Sequence, residues 1–244
     1  MALSFTGGTT DKVTVTNPQT LGAGSEFTFW MWIYKTDDTA GRGSKKGGDL
    51  LINGFSSTDD CFFNVNRATT NSDFISNADQ FPSNVWSFMV CTYSESDGCR
   101  GFRGSLTSAV TELSYSSRTA GSGNTSADTG DLYINNRGAA ATSAMGGQIA
   151  CAGWISRRLD IGEIQSLQFN PRKVVNTEFY GQFGFNGTTD VSDWSGNNRA
   201  GAITGATVAN HIPLRPLFGG KAGWLGSFKA AAAVITRAYG YIFG

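Results

Sequence analysis

The sequence lacks two things that many functional classes require: an excess of charge of one sign and a set of histidines. Lys plus Arg number 19, Asp plus Glu number 19, and the isoelectric point is about 6.6. Without a positive excess the chain has little attraction for a phosphate backbone or an anionic membrane, so we expect no nucleic-acid partner. The one histidine, His211, excludes a multi-histidine metal centre and leaves a single position around which a Ser-His-Asp triad could form.

Long apolar runs and paired cysteine motifs are absent as well. No window reaches the roughly 18 uninterrupted apolar residues of a membrane-spanning helix, so we expect no membrane span. The first residues show neither the basic nor the apolar segment of a secretory signal. The cysteines form no C-x-x-C, which removes a zinc ribbon and a thioredoxin motif; they are Cys61, Cys91, Cys99 and Cys151. We therefore expect synthesis without export, in a cytosol where thiols stay reduced.

Glycine and turn-forming residues dominate instead. Charged residues make up only 16% of the chain, 32 residues are glycine, and runs of Ser, Thr and Asn separate short apolar stretches. This composition predicts an all-β fold with many tight turns. The strongest strand pattern covers residues 27–34, with Phe27, Phe29, Met31 and Ile33 on one face and Trp30, Trp32 and Tyr34 on the other. Because both faces are apolar, both need cover.

Further alternating segments predict a β-sandwich with one short helix. The helix signal lies within residues 156–167, where Asp160 precedes Glu163 in the order of a capping box. The Gly-rich run at residues 41–48 fails the spacing of a phosphate-binding loop and predicts a surface loop. The other predicted strands are residues 3–5, 13–15, 49–53, 61–66, 73–76, 85–93, 101–106, 131–135 and 148–155.

Several motifs, taken in order, resemble a known family. They include LSFTGG at 3–8, FTFWMWI at 27–33, VWSFMVCTY at 85–93, GFRG at 101–104, GQI at 147–149 and WISRRL at 154–159. Together they resemble the concanavalin A-like, laminin G-like jelly-roll domains of lectins, adhesion modules and many phage proteins. The resemblance covers roughly residues 2–170 and implies a jelly-roll β-sandwich.

A second resemblance concerns Asp193-Trp194-Ser195-Gly196-Asn197, which is similar to a short module found beside such domains in phage structural proteins. Its residue types predict a turn in which the aspartate accepts backbone N–H groups. We divide the chain into a sandwich at residues 1–170, a Gly/Asn-rich extension packed on or beside it at 171–216, and a docking tail at 217–244. The tail contains no acid, and Leu225, Phe228, Ile235 and Tyr239 would line one side of a helix.

These features predict a non-enzymatic structural protein of a bacteriophage virion, a capsid decoration or fibre component assembled in the host cytoplasm. We expect a homo-oligomer that docks on other virion proteins through residues 217–244. The alternative is a lectin module that binds a host-surface glycan through Trp30, Trp32 and Tyr34, with Asn53 and Asn64 as polar partners. The same aromatic residues would otherwise pack beneath a sheet or a neighbouring subunit.

Calcium and hydrolysis are two further alternatives that the resemblance raises. Many lectin-like relatives hold calcium with loop carboxylates, and Asp59 and Asp60 would be the ligands here; otherwise we expect no cofactor. Glycoside hydrolases of this superfamily carry Glu-x-Asp-x-Glu on one strand. The nearest run, Glu95-Ser96-Asp97, lacks the third acid and lies among turn-forming residues. We therefore predict a turn there and no enzymatic activity.

Overall fold

The computed structural model describes residues 2–36, 41–47, 51–55, 58–136, 144–171, 174–184 and 186–210. The predicted docking residues Leu225, Phe228, Ile235 and Tyr239 lie outside the described residues, as does His211. The elements in chain order are β1 (Ala2–Thr6), β2 (Lys12–Val15), β3 (Phe27–Lys35), β4 (Gly41–Lys46), β5 (Leu51–Phe55), β6 (Cys61–Val65), β7 (Ser72–Ser76), β8 (Trp86–Ser94), β9 (Gly98–Ser105), β10 (Thr111–Glu112), β11 (Tyr115–Thr119), β12 (Leu132–Ile134), β13 (Gly146–Ile155), α1 (Ile161–Leu167), β14 (Thr177–Gln182), β15 (Asp190–Val191), β16 (Gly201–Thr204) and β17 (Ala206–Ala209).

The strands form two antiparallel sheets, which confirms the all-β prediction. Sheet A has the order β10-β9-β8-β3-β13-β1-β17, with β14 also paired to β13. Sheet B has the order β11-β7-β6-β5-β4-β12-β2-β16-β15. Apolar side chains of the two sheets meet in one core, which includes Phe29, Met31 and Ile33 from β3 and Phe63 and Phe74 from sheet B. The chain is therefore a β-sandwich.

Sheet A is buried on both faces, as the residue pattern of β3 predicts. The face opposite the sandwich core carries Trp30, Trp32 and Phe88, all buried. Ile164 and Leu167 of α1 cover these aromatic side chains, and Tyr180 of β14 packs beside them on the same sheet face. A second apolar core thus lies outside the sandwich, and it exists because one strand presents large rings in both directions.

Helix α1 begins at the predicted cap. Asp160 has extended backbone and its carboxylate accepts a hydrogen bond from Glu163 N at 2.8 Å. The Glu163 carboxylate in turn accepts from Asp160 N, which completes the capping box. In the part of the chain that the structure describes, no helix could span a lipid bilayer.

The prediction of a surface loop at residues 41–48 is wrong for most of that run, because Gly41–Lys46 forms β4 between β5 and β12. Ser44 and Lys46 are buried, so the strand alternates inward despite its polar composition. The Lys46 ammonium is 2.9 Å from Asp128 Oδ1 and donates to Gly130 O, while burial lowers its pKa. An ion pair thus occupies an inward position of β4 where an apolar side chain is usual. Hydrophobic periodicity in the sequence does not predict a strand of this kind.

The extension supplies strands to both sheets. In sheet A, β14 pairs with β13 and β17 pairs with β1. In sheet B, β16 pairs with β2 and β15 pairs with β16. Residues 177–209 therefore contribute strands to both sheets of the sandwich through backbone hydrogen bonds.

Replacement of Trp32 should test the second core. Trp32 is 1% exposed and its Nε1 donates to Gln168 O at 3.1 Å. We expect Trp32→Ala to lower the free energy of unfolding by about 3–5 kcal/mol, measured by urea denaturation. The control is Val175→Ala, which removes methyl groups from a side chain that is 66% exposed. This substitution should change the free energy of unfolding by less than about 0.5 kcal/mol. Equal effects of the two substitutions would contradict the placement of Trp32.

Candidate functional site

Two of the five predicted glycan-binding residues are buried. Trp30 packs against Phe88 and Tyr180, with ring centroids 6.0 and 5.5 Å away, and Trp32 lies between Phe88 and Phe169. Both indoles lie beneath α1 and the segment that follows it, so neither presents a ring face to a ligand in this structure. The same rings supply much of the second core.

Tyr34 lies beyond this cover, at the end of the same face of sheet A. It is half-buried and stands opposite Trp86 of β8 and Gln148 of β13, both also half-buried. The ring centroids of Tyr34 and Trp86 are 5.4 Å apart, at an interplanar angle of 50°. On β1 and β17, Ser4 and Thr207 continue the line. We name these five cross-strand neighbours the Tyr34 row.

The polar side chains of the Tyr34 row are available to a ligand. Within the described ranges, neither the Tyr34 hydroxyl nor the Gln148 amide makes a side-chain hydrogen bond, and the same holds for Ser4 and Thr207. With strands about 4.8 Å apart, the five positions span about 19 Å across the sheet. Two aromatic rings therefore lie beside hydroxyl and amide groups that a pyranose could use.

The remaining two predicted residues do not join this row. Asn64 lies on β6 in sheet B, half-buried and opposite Asp73 of β7. Asn53 lies on β5, where its backbone pairs with Ser44 and Phe63; its side chain lies outside the described structure. The aromatic and amide candidates thus belong to different sheets, a separation that only the topology reveals.

The predicted calcium ligands have other partners. The Asp59 carboxylate contacts the buried ammonium of Lys35, which also donates to Phe81 O at 3.2 Å. Asp60 accepts from Thr58 Oγ1 at 3.3 Å. Over the described ranges, no three His, Cys, Asp or Glu side chains come together as a metal site would require. A cation at Asp59 would compete with the Lys35 ammonium for the carboxylate.

The Glu95-Ser96-Asp97 run forms the turn between β8 and β9, as predicted. Glu95 Oε1 accepts from Thr125 N at 2.6 Å and from Thr125 Oγ1 at 2.8 Å, and the backbone hydrogen bond lowers the pKa of Glu95. The Asp97 carboxylate is bound by Arg100 at 2.6 Å, which lowers the pKa of Asp97 to about 2. Both carboxylates hold neighbouring segments together.

The cysteines and the aspartate of the second motif have structural environments too. All four cysteines are free and buried, and burial raises the pKa values of Cys99 and Cys151 to about 12, so they stay protonated at neutral pH. Asp193 Oδ1 accepts from Ser195 N at 2.9 Å and Oδ2 from Arg199 N at 2.9 Å. The predicted aspartate-centred turn is therefore present.

A sandwich of this kind, with its second core, defines the fold class, and sequence comparison identifies the family. Residues 7–165 match the family model of the concanavalin A-like lectin/glucanases superfamily. The chain belongs to this family. A search of curated proteins finds no match.

Two solved structures illustrate the fold. A native heptameric SAP-like pentraxin from Limulus polyphemus has a TM-score of 0.56 and 13% identity, over 87% of this chain and 97% of that chain. A protein from Bacteroides ovatus, described as carbohydrate-binding, has a TM-score of 0.56 and 13% identity. That alignment covers 88% of this chain and 62% of the other, less than two thirds of its length. At these identities the likeness shows the fold alone.

Acidification should release the stabilising contribution of Asp97. Its pKa is lowered from 3.8 to about 2, so the contribution is complete above about pH 4 and is lost as the pH falls toward about 2. A shift of this size corresponds to about 2 kcal/mol. In urea denaturation across this pH range, the unfolding free energy of the wild type should fall more steeply than that of Asp97→Asn. Parallel pH profiles would contradict the role of Asp97.

Proposed function

We propose that this chain is a non-catalytic carbohydrate-binding module whose sugar site is the Tyr34 row. The observation that carries the proposal is the position of Tyr34 and Trp86. Sheet A buries its other large aromatic side chains on this face, whereas these two rings stay half-exposed beside polar groups that make no side-chain hydrogen bond among the described residues. An aromatic platform with adjacent amide and hydroxyl groups is the usual chemistry of a sugar subsite.

In this proposal the apolar face of a pyranose ring packs on Tyr34 and Trp86. The Gln148 amide and the Ser4 hydroxyl can each donate and accept hydrogen bonds, so together they can bind adjacent hydroxyl groups of the sugar. The row contains no carboxylate, which agrees with binding without hydrolysis. Family membership supports the same class of function, and the Bacteroides ovatus protein described as carbohydrate-binding shares the fold.

Single substitutions in the row should separate binding from folding. We expect Tyr34→Ala and Gln148→Ala each to weaken glycan binding about tenfold, about 1.4 kcal/mol, because each removes one direct contact. A glycan array with calcium or with EDTA identifies the ligand, and calorimetry measures its dissociation constant. The EDTA arm also shows whether binding depends on calcium, for which Asp59 and Asp60 are the predicted ligands.

The matched control is Tyr133→Ala, because Tyr133 is a half-buried tyrosine on β12 of sheet B. It should leave affinity unchanged, and circular dichroism should show that all three variants are folded. An array without any bound glycan would overturn the proposed function. An equal loss of affinity in the Tyr133 variant would overturn the site.

The setting in which such a module works is a separate proposal. The sequence resemblance of residues 193–197 to a module of phage structural proteins supports a place on a bacteriophage particle, with other virion proteins as partners. Several copies on one particle would raise the avidity of a weak sugar site by multivalency. Host-surface glycan would then be the ligand.

Removal of residues 217–244 tests this setting. This segment carries the apolar positions Leu225, Phe228, Ile235 and Tyr239 and no acid. We expect the truncated chain to fold and to bind glycan like the full chain, yet to be absent from purified particles after complementation. Full incorporation of the truncated chain, measured by immunoblotting of the particles, would refute docking through this segment.

A further inference from the structure

Three arginine side chains converge on one carboxylate at the β8–β9 turn. Asp97 Oδ2 is 2.6 Å from Arg100 Nε and 2.5 Å from an Arg158 terminal nitrogen. Asp97 Oδ1 is 3.0 Å from Arg100 and 3.2 Å from Arg118. These residues come from the turn itself, from β9, from the edge strand β11 and from the segment before α1, so the tertiary fold assembles the group. We name Arg100, Arg118 and Arg158 the arginine cluster.

The Asp97 carboxylate cannot satisfy the whole cluster. Its two oxygens offer about four acceptor positions, and four guanidinium nitrogens already occupy them. Arg100 has a second acidic partner, because its remaining terminal nitrogen contacts both oxygens of Glu112 at 2.9 and 3.0 Å. Each nitrogen of Arg100 therefore has an acidic partner, whereas within the described residues one terminal nitrogen of Arg118 and Nε of Arg158 have no hydrogen-bond partner.

Arg118 and Arg158 keep donors that have no hydrogen-bond partner among the described residues. Arg118 uses Nε for Cys99 O and one terminal nitrogen for Asp97. Arg158 contacts Asp97 with one terminal nitrogen and Ser94 Oγ, at 3.4 Å, with the other. Their side chains are 26% and 33% exposed, so a ligand can reach them. Two partly exposed guanidinium groups thus contact different oxygens of one carboxylate.

We propose that Arg118 and Arg158 bind one oxyanion group, a carboxylate or a sulfate, of an acidic ligand. Guanidinium groups suit this task because they stay charged and offer parallel N–H donors to two oxygens at once. Asp97 and the carbonyl of Cys99 already hold the two side chains in place, so little side-chain entropy is lost when the anion binds.

The oxyanion site is separate from the Tyr34 row and does not depend on it. Along β3 the row lies at Tyr34, whereas the turn of the cluster follows Tyr93 and Ser94, and Tyr93 stands opposite Phe27. From Phe27 to Tyr34 the strand advances seven residues, about 23 Å. An acidic oligosaccharide that reached both ends would be held by ring stacking at one and by charge at the other.

The test is a titration of the isotope-labelled full chain with sodium sulfate and with sodium glucuronate, observed through the arginine side-chain resonances. Sodium chloride keeps the ionic strength constant, and glucose serves as the neutral counterpart of glucuronate. We expect saturable shifts of Arg118 and Arg158 with at least one of the two anions. Shifts that follow ionic strength alone, or that glucose also produces, would overturn the proposal.

Variants assign the binding to the proposed residues. Arg158→Gln should weaken the apparent affinity at least tenfold, and Arg158→Lys, which keeps the charge without the paired donors, should weaken it less. Arg199→Gln is the control, because Arg199 pairs with Glu178 in the extension, and it should leave the affinity unchanged. If the Arg158→Gln protein does not fold, the affinity of the Arg158→Lys protein tests the site instead. Unchanged affinity in the folded Arg158 variants would overturn the site, whatever the outcome at the Tyr34 row.

Discussion

Burial of sheet A on both faces is the constraint on which the rest of the structure depends. Strand β3 places Phe29 and Met31 in the sandwich core and Trp30 and Trp32 in a second core on the other side. Leaving indole rings of this size in water would be costly, because each buries roughly 150–250 Å² of mostly apolar surface. Helix α1 and the segment that follows it cover those rings, and β14 extends the sheet beside them.

The limit of that cover determines where a ligand can approach. Near Trp32 the face is closed by Phe169 and by the Gln168 carbonyl. Two residues further along β3, at Tyr34, the covering elements end, and the side chains on this face become partly exposed and polar. The same face of β3 therefore serves both stability and binding: Trp30 and Trp32 lie in the second core, and Tyr34 lies at the surface.

Periodicity predicted the strands whose inward positions are apolar, together with the helix whose cap is local in sequence. Asp160 and Glu163 lie three residues apart, so their capping box could be read directly. Strand β4 could not be read, because Lys46 faces inward only with the help of Asp128, which lies far along the chain. The neighbours of Tyr34 were missed for a related reason: Trp86 and Gln148 adjoin it only through strand order and register. A single sequence contains the alternation of each strand but not the pairing between strands.

The pairing of early with late segments has a consequence for how the chain matures. Residues 2–15 supply β1 and β2, and their outer neighbours are β17 and β16, from residues 201–209. Until the ribosome has released those late residues, β1 and β2 have bare hydrogen-bonding edges, which favour association with other chains. Such distant contacts also slow folding, because a long loop must close before they form. The nascent protein therefore completes the pairing of β1 and β2 only after residues 201–209 have emerged.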